Sequence, residues 1–114
     1  MNLNRVHLIG RLTDTPQLRS IATGSVCNMS VAVNGLPKKG TKERPVTYVP
    51  VACFGKQADV VAANLVAGQE VNIEGRLQFR KRDIEGKKVT VGEVIAHHID
   101  FGMKPRPKEM AQAA

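Results

Sequence analysis

Tyr48 and Phe54, in the segment TYVPVACFGK at residues 47–56, are the side chains best placed for chemistry at a surface. If residues 46–54 run as a β-strand, side chains alternate, and Thr47, Val49, Val51 and Cys53 make one face apolar enough to be core. The opposite face then carries Tyr48 and Phe54, with the small Pro50 and Ala52 between them as a flat strip. The chain has only one Tyr and three Phe, so half of its rings lie on this face. A ring left bare on an outer wall can stack on a nucleobase. That contact is worth about 1–3 kcal/mol per base and tolerates any sequence, because every base has a π-face. A covering loop or a neighbouring subunit would account for the same rings as ordinary packing. Pro50 lacks a backbone N–H, which predicts an edge position or a bulge in this strand.

Cations surround the strip in the sequence. Seventeen Lys and Arg stand against ten Asp and Glu, a net charge of +7, which favours a polyanionic partner over a neutral one. The loop GLPKKGTKERP holds Lys38, Lys39, Lys42 and Arg44. The segment GRLQFRKRDIEGKK holds Arg76, Arg80, Lys81, Arg82, Lys87 and Lys88 against Asp83 and Glu85. Arg11 closes the first apolar run, and Lys56 follows Phe54 by two positions. Seen alone, a charge run is ordinarily a solvated turn; beside exposed rings it suits the phosphates of a single strand. With about five phosphates neutralised, log affinity should fall with log salt at a slope of about −3.5.

Enzymatic readings fare poorly. GLPKKGT has the glycines of a phosphate-binding loop, but Thr41 stands where that loop needs its lysine. His97 and His98 are adjacent, so on a strand they point to opposite faces and make a poor metal pair. Cys27 and Cys53 read as small buried hydrophobes rather than a disulfide or part of a zinc set. Carboxylates are not paired at acid–base spacing. No catalytic residue, metal or cofactor is expected. The chain shows no leader and no apolar run of membrane-spanning length, which places it by default in the cytoplasm, with the nucleoid.

These side chains need a scaffold. Residues 3–12 and 25–34 read as strands, the second through Cys27, Met29, Val31 and Val33, with a short extended piece at Leu18 to Ile21 between them. KQADVVAANLVAG sets Ala58, Val61, Ala62 and Leu65 at helical spacing and stops at Gly68. EVNIEGRLQF then alternates Val71, Ile73, Leu77 and Phe79 toward a core, and a Glu-Gly turn joins it to KKVTVGEVIAHHIDF as a hairpin. Three strands, a helix and two strands predict an all-β OB-fold: a five-stranded, partly open Greek-key barrel with one helix between strands 3 and 4. One domain over residues 1–103 fits this length, and KPRPKEMAQAA, from Lys104 to Ala114, reads as a short flexible basic tail.

The chain resembles the bacterial-type single-stranded DNA-binding proteins from about Leu3 to Phe101. The likeness rests on NRVHLIGRL, PQLRS, VAVN, the long run FGKQADVVAANLVAGQEVNIEGRLQFR, and GEVIAHHIDF. It implies an OB-fold homotetramer, with a dimer as the alternative, that binds single-stranded DNA without marked sequence preference during replication, recombination or repair. Family stacking and phosphate positions fall on Arg5, Tyr48, Phe54, Lys56, Arg80 and Lys81, with Tyr48 where a tryptophan is usual. Arg82 stands where the family commonly has an aromatic, and the loop after AVN offers Leu36 and lysines instead of a ring. Fewer rings and more cations imply weaker, more salt-dependent binding. The tail lacks the acidic tip of replicative members, which implies poor recruitment of protein partners through it. A primosome-type adaptor working through protein contacts and an RNA-binding OB protein are the alternative readings.

Overall fold

Alternation of β-branched and polar residues produces most of what is observed. The structure, a computed structural model, describes residues 1–104. Its elements are β1 (Val6–Leu12), β2 (Gln17–Ile21), β3 (Gly24–Asn34), β4 (Val46–Phe54), α1 (Lys56–Asn64), β5 (Glu70–Ile84) and β6 (Lys87–Phe101). The tail expected from Lys104 onward lies, apart from Lys104 itself, outside the described residues.

The strands are ordered β1-β5-β6-β4-β3-β2, and β1 also pairs with β3, which closes a ring of five. Six segments are present where five strands are expected because β1 and β2 are two halves of one strand. Both run antiparallel to β3, through Arg11↔Ala32 and Leu12↔Val31, then from Gln17↔Asn28 to Ile21↔Gly24. Between the halves Thr13 N–H donates to the Ser30 carbonyl, and Pro16 brings no donor of its own. The ring is an OB-fold barrel, held at two short seams. β4 and β6 run parallel and pair only at Val51↔Val94 and Ala52↔Ile95. β1 and β3 share only their two pairs. At Pro50 the side of β4 toward β6 is therefore open, the edge environment that proline requires.

Two glycines let the backbones cross. A Cβ on Gly10 would sit 2.4 Å from the Ala32 carbonyl oxygen, and one on Gly75 would sit 2.1 Å from that of Ile95. Gly75 lies at a register shift in the β5–β6 ladder, where Glu74 faces His98 but Gly75 faces Ala96. His97 is the extra residue, and such a bulge bends a sheet toward closure.

The core gathers Leu12, Cys27, Met29, Val31, Val51, Cys53, Val71, Ile73 and Val94, with Ala58, Val61 and Leu65 from the helical segment packed on it. Three expectations are corrected. Thr47 is exposed and Val49 only half-buried at the margin of the core, because β4 outruns its pairing with β6 at that end. The helix stops at Asn64 rather than Gly68: Leu65 turns extended (φ −88, ψ 143), which carries its side chain into the core while its N–H still donates to Val61. Gly68 takes φ +83 in the following turn and donates to the Leu12 carbonyl. Leu77 and Phe79, expected in the core, are 41% and 64% exposed. β1 pairs with β5 only as far as Gly75, so the rest of the hairpin projects beyond the barrel.

Cys27 and Cys53 are buried register partners on β3 and β4, both free thiols. Burial pushes both thiols up, Cys53 to about 12, with the neighbouring Cys27 adding to the rise. An unfolded thiol ionises near the ordinary 9.0, so unfolding between these values releases a proton. The stability the thiols contribute is complete below 9.0 and is lost as pH rises toward 12. Denaturant midpoints should therefore fall between about pH 8 and about pH 11, and fall less for Cys53→Ala than for the parent. A thiol reagent should label neither cysteine in the native state and both after unfolding.

Candidate nucleic-acid interface

Register decides which outward side chains meet, because paired residues on neighbouring strands share a face. Three rows cross the outer wall. At one end Arg19, Val26 and Phe54 line up across β2, β3 and β4. In the middle Gln17, Asn28, Ala52, Ile95 and Arg76 run across β2, β3, β4, β6 and β5. At the other end Arg11, Ala32 and Tyr48 cross β1, β3 and β4. Tyr48 is 65% exposed and Phe54 48%, so both rings stand bare on one face. Six residues of strand separate them by about 20 Å, so they would engage different bases. The strip between them is not wholly flat, since Pro50 is exposed but Ala52 is buried beneath its neighbours.

The cations of the hairpin divide by face. Arg76, Arg80 and Arg82 alternate onto the same side as the middle row, and Lys87, paired with Ile84, joins them. Lys81 and Lys88 point to the opposite side. Arg80 and Arg82 line one recess with Arg19 and Asn28, and Arg80 reaches a second beside Phe54. Arg80 is not a free charge: its Nε lies 3.1 Å from the Glu93 carboxylate, which is itself buried in the wall beside Phe54. Arg76 donates from Nη1 to His97 Nε2 at 2.7 Å, which leaves His97 accepting through that nitrogen. Arg11 donates to the Gly68 carbonyl at 3.0 Å and lines a recess with Ile9 and Tyr48.

The remaining cations stand at the margins. Lys38, Lys39, Lys42 and Arg44 are exposed on a loop that prolongs the β3–β4 hairpin at the Tyr48 end, through Gly35 N–H to the Pro45 carbonyl and Lys38 N–H to that of Glu43. Lys56 is exposed at the first turn of α1, next to the Phe54 end. Cation and helix dipole act together there on an anion, with Asp59 partly offsetting them. Arg5 is exposed one position before β1. Sequence reasoning missed Arg19. Its signal, the alternation of Gln17, Arg19 and Ile21, is present, but nothing local places that row beside Phe54. Glu93 was missed as well, and no local pattern marks it.

Residues 3–102 match the family described as "Single-strand binding protein family". "Single-stranded DNA-binding protein 1" of Clostridium acetobutylicum is 33% identical over 102 residues, covering 87% of this chain and 93% of that one. "Single-stranded DNA-binding protein 2" of Staphylococcus aureus is 41% identical over 101 residues, covering 87% of this chain and 73% of its own. "Single-stranded DNA-binding protein" of Halalkalibacterium halodurans is 40% identical over 106 residues, and this match covers 91% of the chain and 62% of that protein. In fold, the chain resembles the small single-stranded DNA-binding protein of Streptomyces coelicolor at a TM-score of 0.75 and 23% identity, over 90% of this chain and 97% of that one. It also resembles the Plasmodium falciparum SSB in complex with ssDNA at 0.77 and 23%, over 89% and 96%.

The Arg80–Glu93 pair yields a direct test of the wall's charge. Glu93→Gln frees the guanidinium and removes a carboxylate from the groove, so the variant should elute from a heparin column at higher salt than the parent. Arg19→Glu should elute earlier. An unchanged elution for both would place the polyanion-binding surface elsewhere.

Proposed function

Because the chain belongs to the single-strand binding protein family, we propose that it binds single-stranded DNA along this wall, without marked sequence preference. In that role it covers exposed strands during replication, recombination or repair and catalyses no reaction. The observation that carries the reading is that Tyr48 and Phe54 stand exposed on one face with Arg11 in register at one end and Arg19 at the other. Each ring offers a π-face to a base, and the arginines meet the phosphates between. Neither contact reads a base edge, which is why the binding is indifferent to sequence.

Residues 1–103 form the binding unit on this reading, and the cytoplasm, at the nucleoid, is where such strands become available. The cations of the wall, Arg11, Arg19, Arg76, Arg82 and Lys87, with Arg80 half-engaged by Glu93, match the slope of about −3.5 expected for about five neutralised phosphates. The loop lysines and Lys56 extend the path at its two ends.

The chain assembles as a homo-oligomer, a tetramer by the resemblance of its sequence. Supporting this is the open edge of β1: β3 pairs with it only at Arg11 and Leu12, so among the described residues Val6 to Gly10 have β5 on one side alone. Ile9, outward on that strand, is 57% exposed. An unpaired edge with an apolar side chain is a ready template for another copy.

Tyr48→Ala and Phe54→Ala should each weaken binding of a labelled oligo-dT by roughly 5- to 150-fold, the equivalent of one lost stack, with the salt slope nearly unchanged. Arg82→Glu should instead flatten the slope. Loss of neither affinity nor slope would exclude this wall, and stronger binding to the matching RNA oligomer would shift the reading to RNA. By light scattering the parent should weigh four times 12.4 kDa. Ile9→Asp should lower that mass, and an unchanged mass would remove β1 from the contact.

A further inference from the structure

The β5–β6 hairpin has a second open face that the wall described above does not use. β1 leaves β5 after Gly75, apart from Asn4, whose side chain bonds the Leu77 backbone in both directions. β4 meets β6 only at Val94 and Ile95. From Gln78 to Glu93 the two strands therefore have only each other as ladder partners among the described residues. A two-stranded ribbon is marginal by itself in water, so its exposed side chains call for a reason. One face of this arm carries Arg80, Arg82 and Lys87. The other carries Phe79, Lys81, Lys88 and Thr90, with Asp83 in register with Lys88.

Phe79 is the centre of that second face. Its register partner is Gly92, and a Cβ placed there would lie 2.8, 3.2 and 3.4 Å from three atoms of the ring. The ring thus rests against bare glycine backbone, held in place on one side, yet it remains 64% exposed. A supported ring with an open side is a stacking platform. Leu77 flanks the ring toward the barrel, Lys81 stands two positions outward on β5, and Lys88 lies farther out opposite Asp83, so beyond the two apolar side chains the face is net positive and unsuited to a purely apolar protein partner.

We propose that Phe79 is a further base-stacking residue and that this back face, with Lys81 and Lys88 on the phosphates, takes a stretch of the same single strand that the front wall holds. The strand passes from one face of the arm to the other over its free edge. This inference rests on the reading of the front wall as a single-stranded DNA site. Shielding Gly92 needs only an apolar side chain, whereas stacking needs a ring, and that difference makes the two roles separable.

The test compares the parent with Phe79→Leu, Phe79→Tyr and Tyr48→Ala, using fluorescently labelled oligo-dT at one salt concentration. One oligomer of about 6 nucleotides is short enough to stay on one face, and another of about 35 nucleotides can follow the whole path. Phe79→Leu keeps Gly92 covered and should weaken the long oligomer by roughly 5- to 150-fold while leaving the short one unaffected. Phe79→Tyr should match the parent on both, and Tyr48→Ala should lose on both. Parent-like binding of the long oligomer by Phe79→Leu overturns the proposal, and so does an equal loss on the short one. A lower mass of Phe79→Leu by light scattering also overturns it, since the ring would then pack on another copy. If Tyr48→Ala loses and Phe79→Leu does not, the back face fails and the front wall stands. If Tyr48→Ala and Phe79→Leu both bind as the parent does, the front wall itself fails.

Discussion

Four residue pairs close the barrel, and the surface chemistry depends on them. Arg11↔Ala32 and Leu12↔Val31 join β1 to β3, while Val51↔Val94 and Ala52↔Ile95 join β4 to β6. Without the first seam Arg11 would have no fixed relation to Tyr48, and without the second the row from Gln17 to Arg76 would break at Ala52. Backbone approach is so close that neither Gly10, against Ala32 at the first seam, nor Gly75, against Ile95 in the β5–β6 ladder, has room for a side chain. The same contacts that enclose Val31, Val51 and Val94 thus set the spacing of rings and cations outside. Core and outer wall are opposite faces of the same strands, and a slip of one residue would exchange them.

Strand length shapes the site as much as register does. β5 and β6 each run fifteen residues, whereas β1 has seven and β4 nine. The excess has no barrel to line and becomes a projecting arm. On the barrel, the inward parity of β5 places Val71 and Ile73 in the core; on the arm, the same parity puts Phe79 and Lys81 in water. β4 shows a smaller version of this effect at Thr47. An apolar residue beyond the last covering strand is a surface residue regardless of its place in the alternation.

Charge is distributed with the same economy. The wall's arginines emerge from three different strands, β1, β2 and β5, and Lys87 comes from a fourth, so no single segment of sequence contains the site. One acid, Glu93, is buried among them and engages Arg80. A half-neutralised arginine beside Phe54 contributes less to phosphate attraction than a free one, and it keeps the groove floor in a defined geometry. The cysteine pair beneath, on β3 and β4, is core material whose burial holds both thiols protonated.

Local order along the chain was enough to determine much of this protein. The strict alternation of Cys27, Met29, Val31 and Val33, the outward parity of Tyr48 and Phe54, the Glu85-Gly86 turn and the start of the helix all depend on neighbours a few positions away. So does the five-strand plan with one helix, once β1 and β2 are counted as a single interrupted strand. Tertiary structure alone decided the rest: that Leu65 leaves the helix to fill the core, that Arg19 joins Phe54, that Glu93 restrains Arg80, and that Phe79 stands in solvent. Each of these depends on which strand lies alongside and where it stops. The period of a strand is written in its own residues, but its cover is written in residues far away, and only the closed barrel brings the two together.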